Sequence, residues 1–312
     1  MNPVKAIVLC NNPIAIPAIR EFLFLGNVGA VVIPARNREM EDILTGLLQG
    51  SGVPLLKADN KNLQETVTTA IEQYGVNTGL VMTFPYKIPS ALLTLPAKGF
   101  LNFHFGLLPQ RRGPQPILWH LLKNDTEAGV TIHVMDNGID TGPIVMQEKM
   151  PIDIKDTYGL LQNKLAYLGA KLGANLLKIL NYGTMIPSSP QDESLAEYLD
   201  MPTSADLTIQ WKTMEAAQII RLINACNPWN KAAGTAIKNW FIGITEAELA
   251  GTSQPGEEKE PGTILSCDKQ NGLLVQALAG QILKINIIYT QEGFFSGYRL
   301  MDFGLQAGDT FN

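Results

Sequence analysis

The sequence has few cysteines and few histidines, with three of each among its 312 residues. Cys10, Cys226 and Cys267 stand far apart, are odd in number and lack the close spacing of metal ligands. Neither a disulfide framework nor a zinc site is therefore predicted, and we expect buried, reduced thiols. No metal cofactor is expected for this chain.

Long hydrophobic runs are also missing. No segment comes near the ~18 consecutive apolar residues that a transmembrane helix requires, so no membrane partner is expected. The first apolar segment, residues 6–10, is followed at once by Asn11, Asn12 and Pro13 and is too short for the core of a signal peptide. We therefore expect a cytoplasmic protein.

The chain also has no excess of basic residues, because its net charge is −5 at pH 7. A dedicated nucleic-acid-binding protein gains much of its affinity by neutralising phosphates, so this balance argues against one. No Gly-x-Gly-x-x-Gly motif follows the first predicted strand, which excludes the usual dinucleotide site. Hydrophobic residues make up 46% of the chain, which indicates a folded protein with a sizeable core.

In the first part of the chain, short apolar runs alternate with segments of helical periodicity. This pattern predicts an α/β fold with a mostly parallel, Rossmann-like sheet and helices on both faces. Ligands of such sheets bind beyond the carboxyl ends of the strands. The predicted strands are residues 5–10, 29–33, 53–56, 77–83, 99–104, 130–135 and 143–150, and the predicted helices are residues 14–25, 38–49, 61–74, 117–122 and 156–180.

The pattern changes after the last of these helices. Residues 186–205 are rich in serine and proline and are predicted to be a linker between a domain of residues 1–185 and a domain of residues 206–312. After a predicted helix at 214–225, short strands broken by glycine follow at 236–242, 262–266, 272–277 and 281–288, with an exposed loop at 251–261. This part is predicted to be a small C-terminal β-barrel of the OB-like type.

Two polar residues interrupt the apolar run at 99–104. Asn102 and His104 are two positions apart, so on a strand both side chains project from the same face near its carboxyl end. Farther along, a loop containing glycines at residues 136–142 can bring Asp140 back over the same end of the sheet. His120 and His133 lie outside this pattern and are predicted to be structural.

The three side chains together suit acyl transfer to an amine. Asn102 and a protonated His104 can donate hydrogen bonds to a developing oxyanion. Asp140 favours the charged imidazole and can accept the proton that the amine loses. Such a transfer would be direct, without an acyl-enzyme. Each residue also has a structural interpretation. His104 can be a hydrogen-bonded core residue, Asn102 can cap main-chain groups, and Asp140 can be a turn residue.

The order of motifs around these residues resembles the folate-dependent formyltransferase family. Asn-x-His is followed by Leu-Leu-Pro, by Arg-Gly-x-x-Pro and later by Gly-x-Asp-x-Gly, and the similarity is strongest over residues 81–150. Residues 206–312 are similar to the C-terminal barrel of methionyl-tRNA formyltransferases and nucleotide-sugar N-formyltransferases. The resemblance therefore implies a methionyl-tRNA formyltransferase-like enzyme with catalytic roles for Asn102, His104 and Asp140.

The resemblance also implies 10-formyltetrahydrofolate as the formyl donor and a primary amine as the acceptor. Two residues of the Arg-Gly motif, Arg112 and Gly113, are expected to contact the acceptor, although Arg112 can equally be a solvated surface residue. The folate is expected to lie against three segments, through Met82, Phe84, Tyr86, Ile88, Leu107, Leu108, Pro109, Asp136 and Gly138.

The sequence departs from the family at three places, and these bear on the acceptor. It has Asn11-Asn12-Pro13 where the tRNA enzymes usually have Gly-Thr-Pro, and Gly106 where serine is usual. Residues 34–43 lack the longer basic loop of the tRNA enzymes, so methionyl-tRNA and a small amine such as a nucleotide-linked amino sugar both stay open. A hydrolase that releases formate and a folate-binding protein without catalysis are the competing functions.

Overall fold

The computed structural model describes residues 3–182 and 187–312. The predicted boundary between the first domain and the linker, at residues 185 and 186, lies outside these ranges. The chain divides into two compact units. The first comprises the residues up to Pro116 together with Glu127–Pro151 and Gln162–Asp200, and the second comprises Ile117–Thr126, Ile152–Leu161 and Met201–Asn312.

The first part of the chain alternates strands and helices, as predicted. The strands are β1 (Ala6–Cys10), β2 (Val28–Pro34), β3 (Leu55–Ala58), β4 (Thr78–Met82), β5 (Phe100–His104), β6 (Glu127–Val134) and β7 (Ile144–Pro151). The α-helices are α1 (Ile16–Phe24), α2 (Arg38–Leu48), α3 (Leu63–Tyr74), α4 (Ser90–Leu93), α5 (Pro116–Leu122) and α6 (Tyr158–Tyr182).

The seven strands form one sheet in the order β3-β2-β1-β4-β5-β6-β7. The pairs from β3 to β5 are parallel, whereas β5–β6 and β6–β7 are antiparallel. All residues of β1, β2 and β4 are buried, as expected for parallel strands that are covered on both faces. The prediction of a mostly parallel sheet with helices is thus confirmed.

Local sequence signals set several helix ends. The side chain of Asn37 accepts a hydrogen bond from the Met40 main-chain N–H at 3.0 Å and caps the start of α2. The buried residues of this helix are Met40, Leu44 and Leu48, four positions apart, which places them on one face. Helix α3 ends at Gly75, whose φ of 66° suits glycine better than other residues.

The second part of the chain is mainly β-structure, as predicted. After helix α7 (Ala216–Cys226), the strands are β8 (Ala233–Ile237), β9 (Trp240–Thr252), β10 (Ile264–Asp268), β11 (Gly272–Gln276), β12 (Gln281–Thr290) and β13 (Gly293–Ser296). They form a six-stranded sheet with the order β10-β11-β12-β9-β8, in which β13 pairs with β12. All of these pairs are antiparallel.

The end of the chain joins the two edges of this second sheet. Phe311 forms a bridge to Ile237 of edge strand β8, and Thr310 forms one to Thr263, just before edge strand β10. Bridges to both edges close the sheet and satisfy edge groups that would otherwise be unpaired. Phe311 is buried and stacks on Trp211, with ring centroids 5.4 Å apart.

Several predicted strands are wrong in their limits; β6, for example, begins at Glu127 rather than at residue 130, and β10 at Ile264 rather than at residue 262. The single strand predicted at 236–242 is a hairpin, because the chain turns at Lys238, which has a φ of 53°. Neither Lys238 nor Asn239 is glycine, so the usual hairpin signal is missing. Strand β3 begins at Leu55 rather than at residue 53.

Membrane-spanning helices and clustered metal ligands are both absent from the described residues. No helix within residues 3–182 and 187–312 combines the length and the apolar character needed to cross a membrane. In the same part of the chain, no group of three or more His, Cys, Asp or Glu side chains is placed to hold a metal ion.

Candidate active site

Strand β5 carries Asn102 and His104, and its antiparallel partner β6 places further polar residues beside them. Asn102 pairs with His133, and His104 pairs with Thr131. Directly opposed residues in an antiparallel pair project to the same face of the sheet. Four polar side chains therefore lie together on one face at the carboxyl end of β5, in agreement with the predicted position of the site.

His104 lies between two hydrogen-bond acceptors and has a side-chain exposure of 5%. Its Nδ1 is 3.4 Å from Asp140 Oδ2, and its Nε2 contacts the main-chain carbonyl of Arg111. A carboxylate and a carbonyl both require a donor, so these contacts suit an imidazole that carries a proton on each nitrogen. The structure thus brings His104 and Asp140 together, as the sequence predicts.

Asp140 receives several donors and is held in an uncommon backbone conformation. Its φ is 56°, in the left-handed region that residues other than glycine seldom adopt. Its Oδ2 accepts a hydrogen bond from the Gly113 main-chain N–H at 3.0 Å, and its Oδ1 accepts one from Asn102 Nδ2 at 3.2 Å. This arrangement places an acceptor of protons beside the predicted oxyanion donors.

The surroundings of Asp140 keep its carboxyl group ionised. Burial by itself raises the pKa of Asp140, but the neighbouring His104 and His133 and the hydrogen bond from the Gly113 main-chain N–H lower it further than burial raises it. The pKa of Asp140 therefore lies well below its ordinary value. An ionised carboxylate is the form that a general base requires.

Asn102 links the two sides of the cluster. Its Nδ2 is 3.1 Å from His133 Nε2 and 3.2 Å from Asp140 Oδ1, so both amide hydrogens have acceptors within the protein. His133 Nδ1 is 3.0 Å from the Val134 carbonyl, which suits the tautomer that leaves Nε2 free to accept from Asn102. Donation from Asn102 or His104 to an oxyanion stays a prediction.

His133, which the sequence analysis interprets as structural, lies beside the predicted catalytic residues. Its side-chain exposure is 3%, and its Nε2 is 3.4 Å from Asp140 Oδ1. The signal that points to it is register: in an antiparallel pair of strands, a polar residue opposite Asn102 must share its face. That register depends on contacts between residues far apart in sequence and is not visible in the local pattern.

Gly106, one of the departures from the family pattern, makes room for His104. A Cβ atom at this position would lie 2.8 Å from His104 Nε2 and 2.6 Å from a carbon of Pro116. A side chain at position 106 would therefore press on the imidazole of His104. The small residue fits the observed contact between His104 and the Arg111 carbonyl.

The residues predicted to bind folate fall into accessible and buried groups. Phe84 and Tyr86 are half-buried, with ring centroids 5.4 Å apart in an edge-to-face arrangement, and Leu107 is also half-buried. Such side chains fit a flat heteroaromatic ring. The other apolar members, Met82, Ile88, Leu108 and Pro109, are buried, and their contact with folate stays a prediction.

The remaining predicted folate residues shape loops. Asp136 Oδ1 accepts hydrogen bonds from the Gly138 N–H at 3.0 Å and from Thr141 Oγ1 at 2.7 Å, which fixes the turn before Asp140. The loop after His104 is held by Thr131, whose Oγ1 bonds the main chain of Gly106 and Leu108. Both loops are ordered by polar contacts, and their contact with folate stays a prediction.

The segment that is predicted to be a linker contacts the loop after His104 and strand β7. We call residues 187–200 the strap. The main chain of Arg112 bonds with that of Glu197 at 3.0 Å and of Leu199 at 2.9 Å, and Ser189 forms an antiparallel bridge with Ile144 of β7. Whether residues 1–185 and 206–312 fold as separate domains stays a prediction.

The two arginines of the Arg-Gly motif form ion pairs with the strap. Arg111 pairs with Glu197, and Arg112 donates to both carboxylate oxygens of Glu193, at 2.7 and 2.9 Å. The hydrogen bond with Glu193 raises the pKa of Arg112 above its ordinary value. Arg112 and Gly113, predicted to bind the acceptor, thus have partners within the protein, and their contact with an acceptor stays a prediction.

The comparisons with known proteins identify the family. Residues 31–176 match the family described as Formyl transferase, and residues 203–297 match its C-terminal domain. A methionyl-tRNA formyltransferase from Desulforamulus reducens is 32% identical over 231 residues, which cover 74% of this chain and 71% of that protein. The chain belongs to the formyltransferase family. The prediction of an N-formyltransferase that is methionyl-tRNA formyltransferase-like is thereby confirmed.

Solved structures of formyltransferases share the fold. An N-formyltransferase from Helicobacter canadensis in complex with folinic acid and dTDP-3-aminofucose has a TM-score of 0.67 at 20% identity, covering 90% of this chain and 98% of that one. HypX from Aquifex aeolicus in complex with tetrahydrofolic acid has a TM-score of 0.65 at 15% identity. This match covers 96% of our chain, which spans only 47% of HypX. The formyl donor of the family is 10-formyltetrahydrofolate, as predicted.

Proposed function

We propose that this formyltransferase transfers the formyl group to a primary amine on a small molecule. The observation that carries the proposal is that arginines beside the catalytic loop are paired with carboxylates, Arg111 with Glu197 and Arg112 with Glu193. A polyanionic acceptor such as tRNA binds by forming ion pairs with cations, and here those ion pairs would first have to break. An amine on a small carrier has no such requirement.

The carboxyl ends of β1 and β2 support the same acceptor class. There the side chains of Asn11 and Asn37 bond to each other at 2.8 Å, and Asn12 accepts a hydrogen bond from Gln162 at 2.7 Å. These groups are neutral amides, which suit polar, uncharged substrate groups better than phosphates. Ligands of parallel sheets bind at this edge, so the amides are placed where an acceptor would approach.

The roles of the catalytic residues follow from their contacts. The attacking amine must lose a proton, and the ionised carboxylate of Asp140 is the acceptor that we assign to it. His104 and Asn102 then turn their N–H groups to the oxygen of the formyl group, where negative charge develops. No covalent intermediate with the protein is needed, because amine and formyl group are held in contact. When the tetrahedral adduct collapses, the bond between the formyl carbon and the folate nitrogen breaks, and that nitrogen takes up the proton that Asp140 accepted from the amine.

The test is incubation of the full chain with 10-formyltetrahydrofolate and a panel of amines, read by mass spectrometry for a gain of one formyl group. The panel contains methionyl-tRNA, a nucleotide-linked amino sugar and small amines without phosphate. Formylation of a small amine supports the proposal, and formylation of methionyl-tRNA alone contradicts it. Release of formate without any formylated amine would indicate the hydrolase.

Methionyl-tRNA is the second candidate acceptor, because the 32% identity with a methionyl-tRNA formyltransferase extends over 231 residues. Salt distinguishes the two. Binding of tRNA releases counterions, so its rate of formylation should fall steeply between about 50 and 200 mM salt. A rate that stays nearly constant over this range identifies a small acceptor.

A further inference from the structure

We propose that Gln191 is a positioning residue that holds the loop of Asp140 in its catalytic position, and that Arg112 in turn holds Gln191. Gln191 lies in the strap, outside every motif that the sequence analysis connected with catalysis. The proposal rests on the formyltransferase chemistry of Asp140 and does not depend on which amine is the acceptor.

The carboxamide of Gln191 joins the catalytic loop to Arg112. Its Nε2 donates to the main-chain carbonyls of Asp140 and Gly142, both at 2.8 Å. Its Oε1 accepts from Arg112, at 2.9 Å from Nη2 and 3.2 Å from Nε. The two donor hydrogens therefore serve the catalytic loop, and the acceptor serves the arginine.

The loop of Asp140 needs such support. A φ of 56° at a non-glycine residue is strained and persists only when its surroundings hold it. On the other side of the loop, a Cβ atom at Gly142 would lie 1.8 Å from the Val134 carbonyl, so the chain passes very close to β6 there. Of the two bonds from Gln191, one holds the main chain of Asp140 itself, whose carboxylate contacts His104 and Asn102, and the other holds Gly142 two residues later.

The side chain of Arg112 is itself fixed in place and can therefore hold Gln191. It is a buried residue, and its side chain donates to the two carboxylate oxygens of Glu193 as well as to Gln191. Its own main chain pairs with the strap, and a Cβ atom at the neighbouring Gly113 would lie 2.1 Å from the Leu199 carbonyl. Because the Gly113 N–H donates to Asp140 Oδ2, the strap supports Asp140 from two directions.

Gln191→Glu is the most informative variant. A carboxylate of the same shape keeps the acceptor for Arg112 but loses both donors to the carbonyls of Asp140 and Gly142. We expect kcat to fall on the order of 10- to 100-fold, because a displacement of about 1 Å at a reacting group can cost this much. KM for the donor and for the amine should change less than about twofold, since the four hydrogen bonds of the Gln191 carboxamide all go to groups of the protein.

Gln191→Ala removes the same donors without adding charge and serves as the second variant, so that either folded variant decides the outcome. Gln73→Glu, the same chemical change at an exposed position on α3, is the matched control and should leave kcat unchanged. Wild-type kcat in a folded Gln191 variant overturns the proposal. So does a loss of kcat that is matched by an equal change in KM and a large drop in Tm.

Hydrogen–deuterium exchange tests the proposal without any acceptor amine. In Gln191→Glu and Gln191→Ala, the peptide that covers residues 136–142 should exchange faster than in the wild type, while peptides of β1 and β2 should not. Unchanged exchange in residues 136–142 overturns the proposal even if the panel of amines yields no product. Failure of the proposed acceptor class and failure of this inference are therefore distinguishable.

Discussion

All three histidines of this protein are buried beside an aspartate, but His120 contacts one outside the candidate site, whereas His104 and His133 both contact Asp140. His120 Nδ1 is 2.6 Å from Asp125 Oδ2, whereas His104 Nδ1 is 3.4 Å from Asp140 Oδ2. The shorter of these two contacts thus lies outside the candidate site. A close His–Asp contact alone does not identify a site.

The two His–Asp pairs differ in the number of other groups that contact the carboxylate. Asp140 is contacted by Asn102, His104 and His133, and by the N–H of Gly113. Asp125 follows the end of α5, where its own N–H also bonds the His120 carbonyl at 3.0 Å, so the pair closes a helix locally. His120 Nε2 is buried and has no hydrogen-bond partner among the described residues. Convergence of groups from distant segments therefore distinguishes the His104–Asp140 pair, which we predict to be catalytic.

Replacing each histidine by alanine is the strongest test of this contrast. His104→Ala should lower kcat for formyl transfer by about 10²- to 10³-fold, because it removes a donor to the developing oxyanion. His120→Ala should lower Tm by a few degrees but leave kcat within about twofold. Mass spectrometry of the formylated amine measures the first effect and thermal unfolding the second. Equal losses of kcat in the two variants would remove the distinction.

His133 tests whether a residue that the sequence analysis interpreted as structural takes part in catalysis. His133→Leu removes the acceptor for Asn102 and the neighbour of Asp140, and kcat should fall by ~10- to 100-fold, as expected for the loss of a hydrogen bond worth ~1.5–3 kcal/mol in a charged cluster. His133→Gln retains an acceptor and should recover part of the activity. If His133→Leu lowers Tm without affecting kcat, the structural interpretation stands.

The smallest effect is the pH dependence that Asp140 adds to stability. Its folded pKa lies below the ordinary 3.8, so the folded state binds this proton less readily than the unfolded state. The stabilisation is complete above the unfolded pKa and is lost as the pH falls through the folded pKa. The Tm of the wild type minus the Tm of Asp140→Asn should therefore be constant above about pH 5. This difference should become smaller as the pH drops below 3.8. A decrease already near pH 6 would contradict the lowered pKa.

Much of the fold was predictable because it rests on local patterns. The buried apolar runs of β1, β2 and β4 and the capped, amphipathic helix α2 lie within a few residues of their predicted limits. The hairpin at Lys238 was not predictable, because its turn uses a positive φ at a residue that gives no turn signal. The family motifs indicated Asn102, His104 and Asp140, which the structure brings into contact.

The sequence by itself determined which groups are present, that Asn102 and His104 share one face of a strand, and that apolar strands alternate with helices. Only the tertiary structure decided that His133 lies opposite Asn102 and that Gln191 and Arg112 support the loop of Asp140. Strand register arises from packing of the whole unit. So do the contacts of Arg112 with Gln191 and Glu193, which are 79 and 81 positions away in the sequence. Such contacts leave no periodic trace in the local sequence, because each partner alone looks like an ordinary polar residue.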